Sequence, residues 1–269
     1  MRILNLSDQP FHELEFLDAG SRGQAELKRL PFHLGTVDSL PEGIDCWIVT
    51  ADLQGREFSP RDPSPRLLGE AVVDELIGLS LAGDVPSLER SVALLCGDFY
   101  TVPAADRRGG TGDVRPVWRD FAREFRCVGG VAGNHDTFAD GDRATERFFD
   151  EIGAHSLDRK VVSLGGIRAG GVHGIIGKPT KNMRSTQEDF YDWIGLLLDD
   201  GAEVLALHDG PNIPERRLRG QAVIRMALEQ SSTTLVFRGH CHWDDLVVDL
   251  ENGTQVVSAH ERVLVLTAP

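Results

Sequence analysis

The chain has 269 residues, of which 41% are apolar and 26% are charged, which is the composition of an ordinary globular protein. Its 42 acidic residues outnumber 28 basic ones, so the formal net charge is −14. This excess argues against broad, non-specific binding to nucleic acids or anionic membranes. No apolar run reaches the 18 residues that suggest a membrane span. Neither a repeat nor a linker interrupts the chain, so a single domain over 1–269 is expected.

Apolar runs alternate with helical patterns along the chain, which is typical of a layered α/β fold. The predicted strands lie at 2–6, 45–50, 91–96, 126–132, 160–169, 203–207, 234–238, 245–250, 255–258 and 262–267. The later strands follow one another closely, so the C-terminal part is expected to be antiparallel or mixed.

Four helices are predicted between these strands. Ser64 and Pro65 have the residue types of an N-cap and a first helical position, which predicts a helix start there. The stretch from Ser185 to Glu188 has the pattern of a capping box before a second helix. Further helices are predicted at 116–124 and 218–229.

Polar side chains follow several of the predicted strands. They are Asp8, Asp98, the run Asn134-His135-Asp136, His208, and the pair His240 and His242. Each strand is expected to deliver a donor side chain to the same edge of a sheet. Oxygen and nitrogen donors without a cysteine pair suit hard-to-borderline divalent cations. Two such ions about 3.5 Å apart can clamp a phosphoryl group for in-line attack.

The series Asp, Gly-Asp, Gly-Asn-His-Asp, His, Gly-His-x-His runs from residue 8 to residue 242 and resembles that of the calcineurin-like metallophosphoesterases. The resemblance implies a two-sheet αββα sandwich. It also implies hydrolysis of a phosphate monoester or diester by a metal-bound hydroxide at a dinuclear centre. Mn²⁺ is the expected metal, with Fe, Zn and Ni as alternatives. The substrate class within phosphate esters stays open.

The resemblance also implies roles for the strand-end residues. Asp98 would bridge the two ions. Asp8 and His242 would hold the first ion, while Asn134, His208 and His240 would hold the second. His135 would donate a hydrogen bond to the phosphate or the leaving group, and Asp136 would orient it.

One departure from the family pattern concerns the first aspartate. The family opens with Asp-x-His, whereas this chain has Asp8-Gln9-Pro10, and proline cannot coordinate a metal. His12, Asp52 or a water could fill the gap. Alternatively, the first site could be lost, which would leave a non-catalytic or single-metal binding scaffold.

Asp52 could also have another role. The strand at 45–50 that precedes it resembles the strand of the Gly-Asp motif, with Ala51 in place of glycine. Asp52 could therefore bridge the ions instead of Asp98. Asp98 is preferred as the bridge, because only one helix separates it from Asn134.

Several other features could shape the site. Arg216 and Arg217 could bind phosphate through their guanidinium groups, although a solvated helix start also explains them. The loops 103–115 and 174–184 leave strand ends and could control access. The cysteines form no C-x-x-C pair, so they are expected to be reduced thiols in a cytoplasmic protein, with Cys241 pointing away from the metals.

Overall fold

The computed structural model describes residues 1–59, 65–107, 109–138, 142–231 and 234–269. Within these ranges the helices are α1 (Leu68–Ala82), α2 (Arg115–Glu124), α3 (Asp142–Ile152), α4 (Gln187–Asp199) and α5 (Ala222–Glu229), with 3₁₀ turns at Leu88–Arg90 and Pro214–Arg216. The strands are β1 (Ile3–Leu6), β2 (His12–Ala19), β3 (Ala25–Val37), β4 (Cys46–Ala51), β5 (Arg56–Glu57), β6 (Ser91–Leu95), β7 (Gly112–Asp113), β8 (Cys127–Gly130), β9 (Asp136–Thr137), β10 (His155–Ser156), β11 (Val162–Leu164), β12 (Ile167–Val172), β13 (Ile175–Ile176), β14 (Arg184–Ser185), β15 (Val204–Leu207), β16 (Leu235–Arg238), β17 (Val247–Asp249), β18 (Gln255–Ser258) and β19 (Arg262–Thr267).

The larger sheet of the described residues has nine strands in the order β10-β8-β6-β4-β19-β3-β2-β5, and β1 also pairs with β3. The strands β4, β6, β8 and β10 are parallel. The last strand, β19, lies antiparallel to β4 and parallel to β3. It therefore separates the parallel strands from the N-terminal hairpin formed by β2 and β3.

The smaller sheet has six strands in the order β11-β12-β15-β16-β18-β17. Its four inner strands are parallel, and the two outer ones run antiparallel to their neighbours. The prediction of a mixed C-terminal part is thus confirmed, and the fold is mixed α/β.

The apolar side chains of the inner strands alternate between two hydrophobic clusters, as expected for the two faces of a strand. In β4, Trp47 and Val49 belong to a cluster that also contains residues of the smaller sheet, such as Val204 and Phe237. The intervening Ile48 packs with residues of α1, α2 and α3 in another cluster. A third cluster joins α4 and α5 to the smaller sheet. Both faces of the central strands are therefore buried, which explains their almost continuous apolar sequences.

Each predicted strand position holds a strand in the structure, although 160–169 covers a hairpin of β11 and the start of β12 rather than one strand. The long hairpin of β2 and β3 was not predicted. The helix expected at Ser64 and Pro65 begins later, at Leu68, and Ser64 lies outside the described residues. The cap of α4 is Thr186 with Asp189, one residue further along than expected. The last predicted helix begins at Ala222 instead of residue 218.

Among the residues that the structure describes, none of the helices has both the length and the apolar character that crossing a bilayer would require.

Candidate metal centre

Polar residues from both sheets meet at the carboxyl ends of the parallel strands. Asp52 follows β4, and Asp98 follows β6 after a two-residue turn. From the smaller sheet, His208 directly follows β15, and His240 follows β16. The Nδ1 atom of His208 lies 2.8 Å from the carbonyl oxygen of Cys96, so the ends of the two sheets are hydrogen-bonded to each other.

The backbone at three of these positions is in the left-handed region. The φ angles are +56° at Asp52, +60° at Asp98 and +65° at His240. This conformation is uncommon for residues with a side chain and is concentrated at functional sites. Here it turns the chain sharply at the strand ends, so that the side chains point into a common space.

Two glycines beside these turns are required by the close approach of neighbouring segments. A Cβ atom on Gly133 would lie 2.0 Å from Asp98 Oδ1, and one on Gly239 would lie 2.4 Å from Asp52 Oδ2. No side chain larger than hydrogen fits at these distances. The Gly-Asn-His-Asp and Gly-His-x-His patterns therefore reflect packing around two carboxylates.

Three of the converging side chains form a group that could hold a metal ion. Asp98, His208 and His240 each offer one ligand atom, and these atoms lie within 4.8 Å of one another. Asp98 Oδ2 and His208 Nε2 are 3.2 Å apart, and both side chains are buried. Two atoms bound at about 2.1 Å to one ion, with an angle of about 90° to 110°, would be separated by about 3.0 to 3.4 Å. The spacing therefore fits a shared cation.

Buried polar atoms in and beside the group support this assignment. Asn134 lies between Gly133 and His135, which both contact Asp98. Its Oδ1 is buried without a hydrogen bond to any described residue, and so is His208 Nε2, whose neighbour Asp98 is 3.2 Å away. Buried polar atoms normally have partners, because leaving one unpaired is unfavourable. Since Nδ1 of His208 is directed at Cys96, its Nε2 is the atom available to a metal. The donor set of carboxylate, amide and imidazole suits a divalent ion of borderline character.

The charges of the group also favour a cation. Burial lowers the pKa of His208, but the negative charges of Asp98 and Asp52 outweigh it and raise that pKa to about 10. Burial and the charge of His208 lower the pKa of His240. Burial would raise the pKa of Asp52, but the neighbouring charge of His260 keeps it below its ordinary value. His208 therefore carries an extra proton at neutral pH, and a metal ion could replace that proton between His208 and Asp98.

A second set of side chains lies beside Asp52. His260 Nδ1 is 3.1 Å from Asp52 Oδ2, which also accepts a hydrogen bond from the backbone N–H of His240 at 2.8 Å. The ring of His242 lies 5.8 Å from that of His260. His242 is exposed, and its Nε2 is 3.3 Å from Asp244. Of these residues, sequence reasoning missed His260, although it lies two residues after a predicted strand end.

The structure corrects the expected contact between His135 and Asp136. Both oxygens of Asp136 accept hydrogen bonds from backbone N–H groups, those of Asp98, Phe99 and Gly133, each at 2.8 Å. The imidazole of His135 instead places Nδ1 2.7 Å from the carbonyl oxygen of Gly110. Asp136 therefore holds the two turns together, and the Gly110 carbonyl orients the histidine.

Burial and the charge of Asp98 together raise the pKa of Asp136 to about 6. His135 stays at the edge of the site, with Nε2 4.0 Å from Asp98 Oδ2 and a side chain that is 27% exposed. It is thus accessible to a molecule entering from solvent.

Asp8 is not brought to this group. Its strand β1 pairs with β3, and both β3 and β19 separate it from β4. With strands about 4.8 Å apart, three strand spacings put Asp8 roughly 14 Å from the end of β4. Asp8 is exposed and lies near His33. Asp52, the other N-terminal carboxylate considered as a ligand, lies beside His240 instead.

Other candidate residues also lie outside the group. His12 Nε2 pairs with Glu75 of α1 at 2.6 Å. Arg216 pairs with Asp245 at 3.1 Å, and Arg217 is an exposed residue at the end of the same 3₁₀ turn. Cys241 is partly buried and is not among the three grouped ligands.

Two buried arginines, which sequence reasoning also missed, support the loops of the site. Arg238 donates from Nη1 to the carbonyl of Cys241, and its guanidinium lies over the ring of Trp243. Arg262 donates from Nε to the carbonyl of His260 at 3.0 Å. Both lie within the apolar pattern of a strand, so the sequence contains no local signal for their role.

The chain was compared with known protein families, curated sequences and solved structures. No protein-family model matches the chain, and no curated protein matches it in sequence. The crystal structure of TT1561 of Thermus thermophilus aligns with 80% of this chain and 88% of its own, with 12% identity and a TM-score of 0.53. The phosphopantetheinyl hydrolase PptH from Mycobacterium tuberculosis aligns with 81% of this chain and 90% of its own, with 14% identity and a TM-score of 0.45. The likeness to TT1561 supports the mixed α/β fold, and a shared fold does not by itself transfer an activity.

Proposed function

We propose that this protein is a metal-dependent phosphoesterase of the calcineurin-like type, acting on a phosphate monoester or diester. The observation that carries the proposal is the convergence of Asp98, His208 and His240. The buried, unpartnered Oδ1 of Asn134 belongs to the turn of Gly133 and His135, which contacts Asp98. In this proposal the helices and the two sheets stack in αββα order in one domain, since one hydrophobic cluster contains residues of both sheets.

The proposed centre is dinuclear. Asp98 would bridge the ions, and Asn134, His208 and His240 would hold one of them. Asp52 and His242 would contribute to the other. Asp52 then takes the place that sequence reasoning assigned to Asp8, and Gln54 stands where the family pattern has histidine. Bound divalent ions would neutralise phosphoryl charge and lower the pKa of a water molecule toward about 7.

The protein's own groups would perform the remaining tasks. His135 is held through Nδ1 by Gly110, so its Nε2 is the atom that can meet a substrate. With a proton on Nε2, the ring could donate to a phosphoryl oxygen or to the leaving group. Its backbone N–H donates to Asp98 Oδ1 at 2.8 Å, which couples the position of the histidine to the bridging carboxylate.

The test is turnover of a generic phosphomonoester and a generic phosphodiester by metal-free protein and by protein reconstituted with Mn²⁺. We expect hydrolysis only after reconstitution, with Fe, Zn and Ni as further metals to compare. Undiminished turnover after exhaustive chelation would contradict the proposal. Tight metal binding without turnover of either ester would favour the binding scaffold.

A further inference from the structure

His260 lies in the turn between β18 and β19, and this turn is bonded to the end of β4. Its backbone forms a bridge with Ala51, whose N–H donates to Ala259 and whose carbonyl accepts from Glu261. Arg262 holds the carbonyl of His260 from the other side. The backbone hydrogen bonds of this turn therefore place the imidazole beside Asp52.

The imidazole faces Asp52 in the manner of a second ligand. Its side chain is 13% exposed, and Nδ1 lies 3.1 Å from Asp52 Oδ2. Nδ1 is buried without an aligned hydrogen bond to any described residue. As for Asp98 and His208, a separation near 3 Å fits two atoms on one ion. Nδ1 of His260 shares this condition with Asn134 Oδ1 and His208 Nε2, the other two atoms of this kind in the described part of this region that could coordinate a metal, since the guanidinium nitrogens of Arg238 and Arg262 cannot.

The space in front of His260 contains further donors. His240, His242, Gln54 and His260 line one cavity of about 280 Å³. The amide of Gln54 is 3.4 Å from Asp98 Oδ2, so this cavity adjoins the group formed by Asp98, His208 and His240. A cation here would be within reach of Asp52 and His260, and His242 could join them by rotating away from exposed Asp244.

We propose that His260 binds the metal ion beside Asp52 through Nδ1. The family pattern Asp-x-His has a histidine at the position of Gln54, and His260 supplies the imidazole that is missing there. This inference rests on the proposed dinuclear centre. It adds a ligand from the last third of the chain that the family pattern does not include. The ion would thus be held by Asp52, His260 and His242, with Asp98 shared between the two sites.

The experiment is a metal titration of the metal-free full-length chain with Mn²⁺ or Co²⁺, followed by calorimetry and by elemental analysis after gel filtration. We expect the wild type to bind two ions. His260→Ala should retain the ion at Asn134, His208 and His240 but bind the other ion at least about 100-fold more weakly. Removing a residue that only supports a metal ligand lowers metal affinity by about 10- to 100-fold, so the loss of a ligand should reach or exceed the upper end of that range. His155→Ala, at an exposed histidine of β10, is the matched control and should bind both ions normally.

One substitution separates a ligand from a mere hydrogen-bonding partner of Asp52. A carboxylate oxygen of Asp occupies the same position relative to Cβ as Nδ1 of histidine, but an ionised carboxylate cannot donate a hydrogen bond. A carboxylate beside Asp52 is repelled unless a cation lies between them. His260→Asp should therefore retain the second ion if His260 is a ligand. It should lose that ion, as His260→Ala does, if His260 only orients Asp52 by donating a hydrogen bond.

The outcomes distinguish this inference from the proposed function. A wild type that binds two ions, together with a His260→Ala variant that binds both unchanged, would overturn the role of His260 alone. A wild type with one ion that His260→Ala also retains would overturn it as well, while leaving a mononuclear site. A wild type without bound metal would overturn the proposed function and this inference together. Circular dichroism of each metal-free variant checks that it is folded. If His260→Ala is not folded, His260→Asp provides the measurement, and loss of the second ion from it would overturn the role of His260.

Discussion

His208 of the smaller sheet and Cys96 of the larger sheet are joined by a hydrogen bond of 2.8 Å between imidazole Nδ1 and the backbone carbonyl. This contact fixes the tautomer of His208, because Nδ1 must carry the proton that it donates. Nε2 is then directed at Asp98, 3.2 Å away. The junction of the two sheets and the candidate metal centre are thus the same structural feature.

The two candidate bridging carboxylates should behave differently when they are neutralised. Asp98 adjoins His208, His240 and Gln54, whereas Asp52 adjoins His260 and the backbone of His240. We expect Asp98→Asn to retain at most traces of metal and activity, because a bridge serves both ions. Asp52→Asn should keep one tightly bound ion. Elemental analysis of the two variants measures this, and the reverse pattern would assign the bridge to Asp52.

His135 is expected to affect turnover without affecting metal content. His135→Ala should lower kcat by about 10²- to 10⁴-fold, the range typical of a lost general acid or base. The bound metal should be unchanged, since the imidazole is held by Gly110 and not by the three grouped ligands. Loss of metal in this variant would instead make His135 a ligand.

Asp136 should be important for stability. Its carboxylate accepts three backbone N–H groups, from Asp98, Phe99 and Gly133, and its side chain is fully buried. Asp136→Asn would turn an NH₂ group toward at least one of these donors. We expect a loss of about 1 to 3 kcal/mol in the free energy of unfolding, the usual cost of an unsatisfied buried polar group. Urea denaturation of metal-free protein gives the value, and Asp150→Asn on the exposed side of α3 is a suitable control.

Metal binding should depend steeply on pH because of His208. Its pKa in the metal-free fold is raised to about 10, above the ordinary value of 6.5, so the ring must lose a proton before Nε2 can bind metal. The apparent affinity should therefore rise about tenfold per pH unit between about pH 7 and 9, with release of a proton on binding. Calorimetry in buffers of different ionisation enthalpy measures that proton.

The same shift predicts how stability changes with pH when no metal is bound. A group whose pKa is higher in the folded state stabilises that state below its unfolded pKa and loses this effect as the pH rises. The free energy of unfolding of metal-free protein should therefore decrease from about pH 6.5 toward pH 10. His208→Gln should remove this decrease. A wild-type stability that rises over the same interval would contradict the assigned protonation.

Gly133 should tolerate no side chain. A Cβ there would lie 2.0 Å from Asp98 Oδ1 and 2.4 Å from the Asp98 backbone nitrogen. Gly133→Ala is therefore expected to displace Asp98 and to lose metal even where the chain stays folded. Gly195→Ala on α4, where the added methyl meets open space, is the control and should leave metal content unchanged.

Local sequence was sufficient for most strand ends and for most of the grouped residues. A short apolar run followed by glycine and a polar residue predicts both the strand and the turn that ends it, because burial and backbone freedom act over a few residues. Asp98 and His240 were identified in this way, and His208 by its position directly after an apolar run. The structure brings the three residues together. The hairpin of β2 and β3 was missed because only continuous apolar runs were taken as strands. In β2 acidic and apolar residues alternate, as in Glu13-Leu14-Glu15-Phe16, which is the pattern of a strand with one exposed face.

Only the tertiary structure shows which N-terminal carboxylate lies beside the candidate centre, namely Asp52 next to His240 and His260. Asp8 and Asp52 both follow apolar runs, so local pattern does not separate them. The order of strands does, because β19 from the end of the chain pairs between β4 and β3 and thereby sets β1 apart from β4. The same pairing carries His260 to Asp52. Such contacts depend on the closure of long loops and on the packing of whole sheets, and no short stretch of sequence determines them.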